Sequence, residues 1–108
     1  MTEEERFAEL DSLAATFAKA QAEADHLGEF RKSKKALLMK EAEAQGHRTA
    51  AMQEREAYAH EDYTALLHGL KAATETALAC KWKLEIARMR FEWARTKAAN
   101  RRAEMNLR

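Results

Sequence analysis

The 108-residue chain contains no proline, only three glycines and a single cysteine. Without proline and with glycine confined to positions 28, 46 and 69, the repeated tight turns of a mixed sheet fold have no supporting chemistry. One cysteine, Cys80, cannot close an internal disulfide, so the chain fits a reducing compartment, with Cys80 itself read as a small buried hydrophobe. No apolar run is long enough to cross a bilayer, and the acidic start Glu3-Glu4-Glu5 is unlike a signal peptide. The expectation is a cytoplasmic protein with no membrane partner.

Catalytic motifs are also missing. His26, His47, His60 and His68 include no i, i+4 pair, and no second cysteine joins them, so no metal site is expected. No glycine-rich loop exists to cradle a nucleotide phosphate. Carboxylates are plentiful but lie on amphipathic surfaces, whereas acid–base catalysis needs a desolvated pocket. The sequence predicts a protein that is not an enzyme, with no cofactor and no small-molecule substrate.

What is present is a heptad seam. Ala59, Tyr63, Leu66, Leu70, Ala73, Ala77, Cys80, Leu84, Ala87, Phe91, Ala94 and Ala98 recur in 3-4 alternation, which keeps one narrow stripe of a helix toward a partner. At ~1.5 Å per residue the stripe runs roughly 60 Å, too long for one small chain to cover without a second long helix or a second subunit. Thr2 followed by Glu5 reads as a capping box at the start of a first helix. Phe7, Leu10, Ala14 and Phe17 then continue in 3-4 spacing, and Leu13, Ala20, Ala24 and Leu27 widen that face. Gly46 is the clearest breaker, and Thr49 is a candidate N-cap for the next helix.

The expected architecture is all-α in a single helical domain: an antiparallel helical hairpin with a helix at about 3–45, a turn at 46–49 and one very long heptad-patterned helix at about 50–105. A three-helix variant divides the second arm at His60-Glu61-Asp62, giving 3–45, 50–60 and 62–105. A thin core makes assembly into an oligomeric coiled-coil-like bundle the expected source of further burial.

Charge is unevenly spread. Residues 1–75 carry ten Lys/Arg against fifteen Asp/Glu, and residues 76–108 carry nine against three. From 81 onward the positions flanking the seam are Lys81, Lys83, Arg88, Arg90, Arg95 and Lys97, all basic. A parallel homodimer would set these like charges across its own interface. An antiparallel hairpin instead brings them to the acidic residues of the first helix, among them Glu3, Glu4, Glu5, Glu9 and Asp11.

The far side of the same helix is apolar too. Leu78, Trp82, Ile86, Met89 and Trp93 form a second stripe, and a helix with two apolar faces is sandwiched between layers or offers one face to another subunit or ligand. The candidate oligomer interface is therefore Leu70, Leu78, Trp82, Leu84, Ile86, Met89, Phe91 and Trp93. Alternatively, Trp82 and Trp93 are stacking platforms for bases. Candidate nucleic-acid-binding residues are Arg31, Lys32, Lys34 and Lys35, nearly consecutive and so wrapped around the helix, with Arg88, Arg95, Lys97, Arg101 and Arg102 near the carboxyl end. A solvated face, or complementation of the helix dipole, is the structural alternative for either cluster.

Arg55-Glu56-Ala57-Tyr58, then Tyr63, then a basic-apolar helix ending Glu92-Trp93-Ala94-Arg95-Thr96 resembles a pattern in small bacteriophage proteins encoded with recombination functions. In general design the chain is similar to the phage recombination mediators, the UvsY-like proteins, over roughly residues 30–102. The resemblance implies a small helical oligomer that binds single-stranded DNA and loads a recombinase. It also implies a DNA-facing surface containing Lys32, Lys34, Lys35, Arg88 and Arg95. The expected function is a non-enzymatic, oligomeric DNA-binding accessory protein, a recombination mediator on single-stranded DNA with a recombinase or other protein partner. The alternative is a protein–protein interaction or structural coiled-coil module, an assembly factor or an inhibitor of a host protein, without nucleic-acid binding.

Overall fold

The computed structural model describes residues 1–107, which form three helices: α1 (Glu3–Ala44), α2 (Ala50–Ala59) and α3 (Glu61–Asn106). No strand occurs among the described residues, and the fold is an all-α helical hairpin with a long second arm. Each helix end has its own chemistry. The Glu5 amide donates to Thr2 Oγ1 at 3.1 Å, so Thr2 caps α1 while three glutamates meet the positive end of its dipole. At the other end the chain leaves α1 through Gly46, whose φ of 104° lies in the region only glycine enters cheaply. The Gly46 amide donates to the Glu43 carbonyl and the His47 amide to the Ala42 carbonyl, each at 3.1 Å. This pair of bonds is the Schellman closure. Thr49 then caps α2, its Oγ1 accepting from the Met52 amide at 3.2 Å.

The expected single helix over 50–105 is broken at His60, and the three-helix variant describes the chain better. His60 is extended (φ −71°, ψ 137°) and ends α2, its amide bonding the Ala57 carbonyl. The same residue starts α3: its ring Nδ1 accepts from the Asp62 amide at 3.0 Å, and its carbonyl takes the Tyr63 and Thr64 amides. The physical reason for the break lies in the packing. Ala57, Tyr63 and Leu38 are buried together, with Met39 against them. In an unbroken helix, residues six apart point about 240° from each other. One extended residue re-aims α3 so that both reach the same side chain on α1. From Glu61 the helix runs on without interruption through Gly69 to Asn106.

The chain divides into two compact units. One is Ala20–Ala77, and the other joins Met1–Lys19 to the end of α3 from Leu78. In the first unit Ala24, Leu38, Ala42, Ala57, Tyr63 and Ala77 are buried. The Tyr58 and Tyr63 rings meet edge-on at 5.4 Å between centroids, and Lys34 reaches Asp62 at 3.5 Å. In the second unit the arms run antiparallel in clear register: Glu3 lies beside Arg95 at 3.7 Å, and Phe7 lies against Phe91 at 4.6 Å. The acidic start of α1 thus meets the basic end of α3.

The seam of α3 is covered from Tyr63 to Ala94, as the 3-4 pattern requires, while Ala59 and Ala98 are exposed. Ala59 leaves the seam because the break at His60 turns Ala57 inward in its place. On α1 the covered row is Leu10, Leu13, Phe17, Ala20, Ala24 and Leu27, not the row through Phe7 and Ala14. Phe7 is 55% exposed, its ring tilted at 55° to that of Phe91.

Candidate nucleic-acid interface

The nine candidate basic residues fall into different environments. Lys34 and Lys35 are partly buried and tied into the unit formed by Ala20–Ala77. Lys35 Nζ donates to Glu54 Oε1 at 2.9 Å and sits 4.7 Å from the centre of the Tyr58 ring. Tyr58, and after it the Glu54 carboxylate, hold the Lys35 ammonium well above the ordinary lysine range. Reciprocally, the hydrogen bond from Lys35 holds the Glu54 carboxyl below the usual carboxylate range, with a smaller contribution from Tyr58. Lys34 is paired with Asp62. These two lysines join α1 to α2 and to the first turn of α3, which gives them a structural task. Arg31 and Lys32 of the same run are exposed, and Lys32 reaches Glu29 on its own helix at 3.6 Å.

The carboxyl-terminal cluster is differently placed. Arg88 pairs with Glu85 at 3.6 Å, an exposed i, i+3 contact of small energetic weight. Arg95 lies near Glu3, and its guanidinium carbon is 5.8 Å from the Phe91 ring centre. Lys97 Nζ is 5.5 Å from the centre of the Trp93 ring, within cation–π range. Among the described residues no ion pair engages Arg101 or Arg102. Seven-residue spacing sorts this end of α3 into two rails beside the seam: Lys81, Arg88, Arg95 and Arg102 on one flank, Lys83, Arg90 and Lys97 on the other.

Between the rails, on the face away from the seam, Leu78, Trp82, Ile86, Met89 and Trp93 are all exposed, Trp82 by 60% and Trp93 by 64%. A two-armed hairpin has a single shared face, so it covers one stripe of α3 and leaves the other bare. The remaining three residues of the candidate oligomer interface belong to the covered stripe: Phe91 is buried, and Leu70 and Leu84 are partly buried within the chain. Five large apolar side chains in a continuous row exceed the scattered exposed hydrophobics of an ordinary surface.

Four residues of consequence escaped sequence reasoning. Glu54, Tyr58 and Asp62 hold Lys35 and Lys34 across the hairpin, and no local spacing signals contacts of that range. Arg6 lies in a groove between α1 and α3 with Phe91, Ala94, Arg95 and Arg102. Its signal was available: Arg6 precedes Leu10, Leu13 and Phe17 in 3-4 spacing and so occupies a seam position of α1.

Among the described residues no three of His, Cys, Asp and Glu gather as metal ligands, and no helix is long and apolar enough to cross a membrane. Comparison of the chain with protein-family models, with curated proteins and with solved structures finds no match.

Proposed function

We propose that the chain is a non-enzymatic nucleic-acid-binding accessory protein of the cytoplasm that works as an assembly of subunits. The observation that carries this reading is the end of α3, where a bare stripe from Leu78 to Trp93 is bordered on both sides by basic residues at heptad spacing. The stripe joins copies of the chain. Assembly repeats the rails of Lys81, Lys83, Arg88, Arg90, Arg95 and Lys97, so that one strand loses many counterions at once when it binds. The narrower form of the reading is a phage-type recombination mediator that arrays single-stranded DNA and raises the local concentration of a recombinase. It rests on the resemblance to UvsY-like proteins. Of the residues that resemblance implies, Lys34 and Lys35 serve the fold, and the strand-facing role passes to Lys32 and the carboxyl-terminal rails.

The rival reading is a protein–protein module, an assembly factor or inhibitor that uses the same stripe on a different protein. The presence of Ile86 and Met89 between the tryptophans, with Leu78 ahead of them, favours it, since aliphatic side chains offer nothing to a base. Titrating a fluorescent oligothymidylate against the Lys83→Gln, Lys97→Gln double variant separates the two. A nucleic-acid binder loses affinity, and its salt slope becomes shallower by roughly two units. An interaction module shows no affinity at moderate salt to lose.

A further inference from the structure

Where α1 begins, α3 runs on. Glu3 lies beside Arg95, and α3 continues to Asn106. At this corner the two helices frame a groove of about 450 Å³. Its floor is apolar, made by Phe91 and by Ala94 and Ala98, whose small side chains leave the space open. Among the described residues it is lined also by three arginines, Arg6 from α1 and Arg95 and Arg102 from α3, by Met1, and by one acidic residue, Glu3. A second, smaller hollow adjoins it, again lined by Arg6 and Phe91, with Arg90 and Glu9 on its rim.

We propose that this groove is a phosphate-binding site, with Arg6, Arg95 and Arg102 as its ligands and Glu3 as an internal competitor. Guanidinium groups present paired N–H donors in a fixed fork that matches the oxygens of a phosphate, and three arginines from two helices line this one groove. Glu3 stands 3.7 Å from Arg95, and both side chains are about two-thirds exposed. Such a contact is loose and screened, and a phosphate oxygen displaces it at little cost. The phosphate comes either from the diester backbone of a strand or from a free polyphosphate. The first source rests on the function proposed above, and the second does not.

The test is binding of a fluorescent oligothymidylate and, separately, of inorganic tripolyphosphate to the whole chain and to three variants: Arg6→Gln, Arg102→Gln and Glu3→Gln. Circular dichroism and melting verify that each remains folded. All three positions lie at the hairpin's exposed end, and none is among its buried residues. The site predicts that Arg6→Gln and Arg102→Gln each weaken binding by roughly fivefold and flatten the salt slope by about one unit, while Glu3→Gln tightens binding.

Wild-type chain that binds the oligonucleotide, with variants that bind equally well, removes the site and leaves the proposed function standing. Tripolyphosphate binding that obeys the variants, without oligonucleotide binding, keeps the site and removes the nucleic-acid reading. Absence of binding to both probes overturns both. If the arginine variants instead change only the mass of the assembly, the groove receives carboxylates of a second copy and the phosphate assignment is wrong.

Discussion

Ala57 and Tyr63, six residues apart and in different helices, close on the same side chain, Leu38. That convergence requires His60 to be extended, and it makes the junction of α2 and α3 one of the few places where a large side chain is withdrawn from water. Tyr63→Ala is expected to cost about 3 kcal/mol, because it empties the space between Leu38 and Ala57 and removes the edge contact to Tyr58. His60→Ala is expected to cost about 1 kcal/mol, the usual loss on deleting an N-cap acceptor. Urea unfolding of the two variants measures both.

The glycines give a prediction of opposite signs. A Cβ added at Gly69 meets nothing within 4 Å, and the position is an exposed helix interior, so Gly69→Ala is expected to stabilise by about 1 kcal/mol. Gly46 holds φ at 104°, and Gly46→Ala is expected to destabilise by about 1 kcal/mol even though its surroundings are open. Thermal melts that move in the same direction for both variants contradict these assignments.

The pairing of Lys35 with Glu54 predicts a loss of stability on the acid side. The folded state lowers the Glu54 pKa below its ordinary 4.5, so its contribution is present above about 4.5 and disappears as pH falls through the lowered value. Lys35 is raised above its ordinary 10.5, so its contribution is complete below that value and fades only as pH rises through the still higher folded value. Between those limits neither group changes stability with pH. Glu54→Gln is expected to flatten the acid limb of a plot of urea midpoint against pH, measured from about pH 6 down to about pH 3. An unchanged acid limb shows that other carboxylates govern it.

Much of this fold is written in local rules. Thr2, Gly46 and Thr49 mark helix ends because their side chains or backbone freedom satisfy amides and carbonyls a few residues away. The α3 seam from Tyr63 to Ala94 follows from spacing alone. The break at His60 was legible only as a variant, since neither proline nor glycine enforces it and its cause is a contact with Leu38 on another helix. The fates of Lys34 and Lys35 were hidden for the same reason: in sequence they belong to a basic run with Arg31 and Lys32, and only folding supplies Asp62 and Glu54. Arg6 holds a seam position of α1, but the groove it lines is completed by Phe91 and Arg102 of another helix, which no local spacing announces.

The bare stripe of α3 is the surface through which copies of the chain are proposed to join. Trp82 and Trp93 are mostly exposed on the single chain, so replacing both by Ser should leave its helical content unchanged by circular dichroism. The mass of the assembly should fall. Sedimentation velocity on the double variant checks this, and an unaltered sedimentation coefficient assigns the stripe to something other than a second copy.

The central claim is that these copies gather and hold a nucleic-acid strand together. Its most direct test is light-scattering mass of the wild-type chain, with and without an oligothymidylate of roughly thirty residues, across a salt series. The expected result is a multiple of the single-chain mass at every salt, with the strand bound at low salt and released steeply as salt rises. A single-chain mass with no strand bound at the lowest salt contradicts it.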